Sequence, residues 1–568
     1  MKLIIPATAI LYFFASSFIW ADKKQADLLV YNGTIYTVDS LFSSAEAMVI
    51  SKGRIVAVGN SADLQKQYNV KEKLNAQGRF IYPGFIDAHA HFYSYGLGLQ
   101  NVNLVGSTSW EEIIQKLKDF STGDESGWLI GRGWDQNDWA IKEFPTKEKL
   151  DSLFPGRPVL LTRIDGHAAI ANQRALELAG LKAGDRLTGG EVEVKNGSLT
   201  GILVDNAVDL VAAKIPAPSI GQSTEALMDA QKNCFEVGLT TVDDCGLSYP
   251  EVLLIDSLQK KGKLKMRMYV MLSDAKENYE FAFARPKIKT DLLNVNAFKV
   301  YADGALGSRG ACLLQPYSDK PGWYGFLLSP PAHFDSVAKI IYEHGYQMCT
   351  HAIGDSGNRV ILSIYAKYLK KKNDRRWRIE HAQVVHPDDF AEYGRYSVIP
   401  SVQPTHATSD MYWAAARLGT ERVKGAYAYK QLLQQNGWIP LGTDFPVEDI
   451  SPFKTFYAAV IRKDAKGFPP DGFQVENALS RQQAIRGMTI WAAKSNFEEK
   501  EKGSLEKGKF ADFVVLDQDL LKISPERILQ TKVLSTYIGG RKVFGRGKTT
   551  DDRRQTAHPD LLSLNIEN

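Results

Sequence analysis

Residues 85–92 read FIDAHAHF, an apolar run with histidines at 89 and 91. On a β-strand, side chains two positions apart share a face, so both imidazoles point the same way. Two neutral imidazoles side by side make half of a zinc site, although the pair alone is a weak signal. Seven more strand-like runs follow: GLTTVDDCG (238–246), LKMRMYVMLSD (264–274), VNAFKVYADG (295–304), YQMCTHAIGD (346–355), WRIEHAQVV (377–385), SVIPSVQPTH (397–406) and GWIPLGTDFPVED (437–449). Amphipathic segments such as STEALMDAQKNCFEVG (223–238) and DSVAKIIYEHG (335–345) lie between them. Strands alternating with helices mean βαβ units and a parallel sheet. With FIDAHAHF first there are eight strands, so the expected fold class is α/β, a closed (β/α)8 TIM barrel.

The texture differs at both ends of the chain. Short alternating or β-branched runs with Asn-Gly and Lys-Gly turns fill residues 26–87, and similar runs return at 503–519 and 533–548. Two distant segments of one style predict a small β-sandwich-like domain, drawn at 22–82 plus 503–548, with the barrel at 83–502. The first barrel strand ends near 91 and the second begins near 238, so one connection spans about 145 residues. Ordinary βα loops have roughly 2–6. That connection must hold a folded subdomain, placed at about 105–225.

Composition narrows the function classes. The chain has 568 residues, 44% hydrophobic and 24% charged, with a net charge of 69 − 65 = +4. This excludes a mainly disordered chain and a polytopic membrane protein. So small a surplus of cations makes no case for nucleic-acid binding. Four scattered cysteines (234, 245, 312 and 349) with no CxxC form neither a disulfide scaffold nor a zinc ribbon. Lys2 followed by LIIPATAILYFFASSFIWA reads as a secretory signal over residues 1–21, with an uncleaved membrane anchor as the alternative. The expected location is therefore secreted or periplasmic, with no membrane contact after cleavage. A small-molecule substrate is the expected partner, and a homo-oligomer is open.

Other chemistry-bearing residues fall on different predicted strands. His351, His381 and Asp444 stand at or near strand ends, and Lys299 lies on the fourth strand. Taken singly, a strand histidine is more often a satisfied core residue, an aspartate a helix cap, and a lysine a snorkelling side chain. Their agreement in strand order, at the barrel end where loops build active sites, argues for one site.

The motifs PGFIDAHAHF (83–92), GRGWDQNDW (131–139), RIDGHAAIAN (163–172), KVYADGALGSRGA (299–311), THAIGDSGNR (350–359), RIEHAQ (378–383), SVQPTHATSD (401–410) and LGTDFPVE (441–448) cover nearly the whole chain after the signal. Together they resemble the metal-dependent amidohydrolase superfamily, in particular the subgroup that contains N-substituted formamide deformylase. The resemblance implies that His89 and His91 bind one divalent metal, most readily zinc, and that His351 and His381 bind a second. It implies that Lys299 bridges the two as a carbamate, because a lysine ammonium offers no acceptor. Without that modification a single ion on His89, His91 and Asp444 is the fallback, so one or two ions per chain are expected. Asp444 contacts a metal and moves protons; it and His381 are the candidate catalytic residues. The implied reaction is hydrolysis of a non-peptide C–N bond in a small molecule, an amide such as an N-substituted formamide. Ester hydrolysis on the same site and a non-catalytic metal-binding scaffold are the alternatives.

Substrate contacts are sought in the insertion and after the fourth strand. His167 is a candidate for the substrate carbonyl, against a structural hydrogen bond. Trp134, with Trp139, is a candidate pocket wall, against ordinary subdomain core. Arg309 is a candidate for a substrate carboxylate, against a local ion pair.

Overall fold

The computed structural model describes residues 23–121 and 127–547. The expected signal (1–21) and the polar stretch after Lys548 lie outside the described residues. Among the described residues, no helix is long and apolar enough to cross a membrane.

Seven parallel strands lie side by side in chain order: Phe85–Ala90, Leu239–Leu247, Arg267–Ser273, Leu293–Tyr301, Gln347–Ala352, Arg378–His381 and Ile399–Ser401. Several are buried at every position, as expected where helices cover the sheet outside and side chains fill it inside. The eighth place is held by an irregular segment. Val402 bridges Leu441 in parallel, and Gly442 N donates to Val402 O at 3.0 Å. On the other side Ala88 N donates to Leu441 O at 3.2 Å and Asp444 N to His89 O at 2.7 Å. The ring is thus closed, and the protein is a TIM barrel with added domains. The expected eighth strand is not regular because Pro440 and Pro446 lack an N–H and Asp444 is left-handed, φ 65°.

Helices pack outside the ring. Ile220–Glu236 begins with a capping box in which Ser219 and Gln222 satisfy each other's backbone. It lies so close to helix Phe92–Gly98 that a Cβ on Gly96 would stand 2.1 Å from Ala226 O. The insertion boundary drawn at 225 therefore falls inside a barrel helix.

Between helices Phe92–Gly98 and Ile220–Glu236 sits a six-stranded sheet, from Val102–Asn103 to Ser198–Asp205 in sequence. Consecutive residues enter opposite cores. Leu161, Ile170 and Val204 join Ile113, Leu117 and Trp134 on one face. Leu160, Ala169 and Leu203 join Leu176 and Val211 on the other. Period-two alternation puts a helix layer on each face.

The two ends of the chain share sheets. Phe513–Leu516 pairs antiparallel with Phe80–Pro83 inside a six-stranded sheet. A four-stranded sheet packs against it through Val30, Met48, Ile50, Ile81, Phe513 and Val515. This unit is bolted to the barrel by a buried pair: Arg267 Nε and Nη2 lie 2.6 and 2.9 Å from the carboxylate of Asp512. Removing one member of such a pair strands the other charge in the interior, at about 3–5 kcal/mol. Asp512→Ala is expected to lower unfolding stability by about that much, read as an earlier urea transition; an unchanged midpoint would show that the pair contributes nothing.

Candidate metal centre

The C-terminal mouth of the barrel opens into a cavity of about 1240 Å³ roofed by the inserted subdomain. Its floor is built from side chains of five strand positions. On Phe85–Ala90, Asp87 accepts from Thr443 N at 2.9 Å and from Thr443 Oγ1 at 2.7 Å. That contact locks the first strand to the closing segment. His89 and Asp444 are both buried, and His91 is partly exposed to the cavity.

Asp444 Oδ1 lies 3.4 Å from His89 Nε2 and 3.3 Å from His91 Nε2, yet it accepts no hydrogen bond. These three ligand atoms lie within 4.8 Å of one another. The protonation states suit a cation. Glu380 Oε2 stands 2.6 Å from His89 Nδ1. The carboxylate takes the Nδ1 hydrogen and leaves the Nε2 lone pair facing Asp444. Burial first, then the charge of Lys299, pushes His89 down to about 4, so the ring is neutral at ordinary pH. Asp444 is held well below the usual carboxylate range: burial would raise it, but His406, His89 and His91 outweigh burial.

His381 repeats the arrangement with a different partner. Its Nδ1 lies 2.8 Å from Gln403 Oε1, and Gln403 Nε2 in turn donates to Ser401 O. The amide is thereby oriented as an acceptor, and the Nε2 lone pair is free. His381 is next to Glu380 and would face outward by strand alternation. A left-handed backbone at His381 (φ 73°) brings its ring in among the others. Ring centroids are 4.7 Å from His89 and 4.5 Å from His351. His351 Nε2 is buried and unpartnered, with Asp303 Oδ1 3.8 Å away. Asp303 itself accepts from the backbone N–H groups of Cys312, Ile353 and Gly354. Lys299 is fully buried, with Nζ 3.2 Å from His89 Nε2 and 4.8 Å from the Tyr301 ring.

All six residues expected as ligands therefore converge: His89, His91, Lys299, His351, His381 and Asp444. His406 joins them without having been anticipated. It lies 3.3 Å from Asp444 Oδ2 and 3.1 Å from Glu448 Oε1. The trio His381, His406 and Asp444 is the second ligand set close enough for an ion. Burial would lower His406, but its two carboxylate partners hold it well above the ordinary histidine range. As an imidazolium it has no lone pair, so a cation there must first displace a proton. The unpartnered Asp444 Oδ1, beside the Nε2 atoms of His89 and His91, and the unpartnered His351 Nε2 are the better fit for a divalent ion. Glu380, Gln403 and His406 stand inside quoted motifs, but nothing in their spacing marks them.

The substrate-side expectations divide. His167 lines the cavity; its Nδ1 is 2.6 Å from Asp205 Oδ1, and its ring centroid is 5.0 Å from His351. Trp134 does not reach the cavity. It is fully buried in the subdomain core, and its Nε1 donates to Leu161 O at 2.8 Å. Trp139 packs beside it, donating to Ser107 O. Arg309 is also corrected: its Nε and Nη2 pair with Asp319 at 3.2 and 2.9 Å, and it does not line the cavity.

A parallel barrel that gathers histidines, a lysine and an aspartate at its C-terminal mouth defines a class of metal-site barrel enzymes. Comparison with known proteins gives the family. Residues 72–544 match the model described as "Amidohydrolase family", and the chain belongs to that family of hydrolases. Protein LONG AFTER FAR-RED 3 of Arabidopsis thaliana is 33% identical over 541 residues, 91% of this chain and 92% of the relative. N-substituted formamide deformylase of Arthrobacter pascens is 24% identical over 539 residues, 91% of this chain and 98% of the relative. Among solved structures, an uncharacterized metal-dependent hydrolase from Pyrococcus horikoshii superposes with a TM-score of 0.72 at 27% identity, covering 88% of this chain and 99% of that one.

Removing the partner that orients a ligating histidine typically costs ~10–100-fold in metal affinity. Glu380→Gln is expected to weaken zinc binding by that factor, measured by competition with a chromophoric chelator. Affinity equal to that of the unaltered protein would show that Glu380 does not tune His89.

Proposed function

We propose that this chain hydrolyses a non-peptide carbon–nitrogen bond in a small molecule, an amide of the N-substituted formamide kind. The observation that carries the reading is Asp444: a buried carboxylate oxygen with no hydrogen bond, 3.3–3.4 Å from two imidazole nitrogens. The nitrogen-rich donor set favours zinc, one or two ions per chain. His89, His91 and Asp444 would hold the first ion. His351 and His381 would hold the second, with Lys299 bridging once carbon dioxide adds to its amine and a proton leaves. Support for the bridge is the position of Lys299 Nζ beside His89 Nε2. Support for the bond type is family membership and the formamide-cleaving relative. The apolar stretch at 3–21 supports a site of action outside the cytoplasm.

A bound divalent ion supplies a polarising charge and lowers the pKa of the water it holds toward about 7. The chain does the rest. Glu380 and Gln403 keep Nδ1–H tautomers on His89 and His381. The Asp444 carboxylate takes the proton of the attacking water and returns it to the leaving nitrogen, which needs only hydrogen-bond reach. The water oxygen joins the carbonyl carbon, the C–N bond breaks, and a carboxylic acid and an amine result. The inserted subdomain covers part of the cavity from above.

The test is formate release from N-alkyl- and N-arylformamides. Zinc-loaded protein is expected to turn over, chelation to stop it, and added zinc to restore it. Asp444→Asn should cut kcat by about 10²–10⁴-fold with the fold intact. Release that survives this substitution undiminished would remove the proton role, and no release from any formamide would remove the bond assignment.

A further inference from the structure

The small net charge hides a separation of charge along the barrel axis. Ten aspartates and glutamates line the cavity at the C-terminal mouth, against four lysines and arginines. At the opposite end, three loops lead into strands Arg267–Ser273, Leu293–Tyr301 and Arg378–His381. They read KKGKLKM (260–266), ARPKIKTDL (284–292) and KKKNDRRW (370–377), twelve lysines and arginines against two aspartates. The three loops form one surface. Gln259 Nε2 donates to Leu292 O at 3.3 Å, and Arg267 Nη1 to Asp291 O at 2.6 Å. Lys287 Nζ donates to Gly345 O at 2.6 Å, and a Cβ on Gly345 would stand 3.8 Å from Arg375 Nη1.

Few of these charges are neutralised. Asp291 pairs with Arg54, and Asp374 with Arg376. Glu498 and Glu501, from the segment after the last barrel helix, hold Lys289, and Glu499 holds Arg376. Glu343 is paired with Lys339, and Lys260 with Asp256. The other nine cations of the three loops have no ion pair among the described residues. Like charges gathered on one face repel one another, and an extended anionic surface offsets that repulsion.

The N-terminal end of the chain indicates which surface. Lys52 N donates to Asp27 Oδ2 at 2.6 Å, and Arg54, two residues on, lies 3.8 Å from Asp291 of the second loop. The described chain begins at Lys23, at most about 14 Å from Asp27. The apolar stretch 3–21 therefore joins the molecule on the side of the basic end.

We infer that the basic end of the barrel docks on a membrane surface of anionic phospholipid. The acidic mouth is repelled by the same surface, so one orientation is selected and the cavity opens away from the lipid. The contact is peripheral and uses no spanning helix. Substrate then enters from the aqueous side.

The experiment uses full-length protein sedimented with vesicles of phosphatidylcholine, alone or mixed with phosphatidylglycerol. Binding is expected to favour the anionic vesicles and to weaken as salt is raised. Each cation near such a surface is worth roughly fivefold in partition. K370E/K371E/K372E should therefore lose at least about 100-fold on anionic vesicles. K118E/K142E/K195E, on the inserted subdomain, changes the net charge equally and should lose less than about threefold, since those positions lie beyond the reach of the surface field. The N-terminal stretch is common to both variants and does not produce the difference between them. Circular dichroism must match the unaltered protein. Lysine acylation read by mass spectrometry is the second measurement and needs no variant: on anionic vesicles Lys371 and Lys372 should be protected, and Lys118 and Lys195 should not. Equal binding to both kinds of vesicle without that protection, or equal losses in the two variants, overturns the inference. Binding to random duplex DNA that is tighter than to anionic vesicles, and lost in K370E/K371E/K372E, overturns the lipid assignment in favour of nucleic acid.

Discussion

One carboxylate organises this protein's active end. Asp444 faces His89, His91 and His406 at 3.3–3.4 Å, while its own N–H closes the barrel onto His89 O at 2.7 Å. The same residue thus completes the ring and centres the site. The two tasks need different backbones, and the left-handed φ of 65° is the compromise. It breaks the regular ladder and turns the side chain over the mouth. Gly442 shows how little slack is left: a Cβ there would stand 2.5 Å from His89 N. Closing the barrel and assembling the ligands are therefore one structural event.

Such a cluster of buried charge must be balanced from below. Glu380 holds His89 and lies 3.9 Å from Arg378 Nη1. Arg378 pairs with Asp243 at 3.1 Å and bonds Asn496, which donates to Asp243 at 2.6 Å. Every member of this chain is almost wholly buried. Charges alternate from the barrel bottom to its mouth, so each desolvated group has an opposite neighbour. The far end is anchored in the segment around Asn496, which follows the last barrel helix. The C-terminal part of the chain is thereby coupled to the metal centre through polar contacts, although it contributes no ligand.

Much of this was legible before any coordinates. Period two in FIDAHAHF and strand runs alternating with helical ones predict the barrel, because inward-facing positions and buried strands leave a plain mark in sequence. The six converging residues were legible because strand ends are where barrel sites are built. Their supports were not. Alternation sets Glu380 and His381 on opposite faces, and only the left-handed turn at His381 brings both to the site. The eighth strand was legible as an apolar run but not as an irregular one, since Asp444's backbone angle leaves no trace in residue type. His406 is invisible for a simpler reason: it lies on the short helix Pro404–Asp410 beyond the seventh strand, and a histidine there has no periodic partner.

The motif GRGWD shows why the substrate side is harder to read than the metal side. Arg132 and Trp134 are two apart, so a regular strand would point both at the cavity or both at the core. The ladder slips between them, where Gly133 takes φ 111° and a Cβ would stand 2.4 Å from the Val105 side chain. A bulge of this kind re-aims the residues that follow it. Leu129 faces the subdomain core, Arg132 faces the cavity, and Trp134 is returned to the core beside Trp139. One glycine therefore decides which of two large side chains faces the cavity. The ligands sit on barrel strands, whereas Arg132 hangs from a separate sheet with its own two cores. The cavity roof can change through that sheet without disturbing the charge ladder beneath His89.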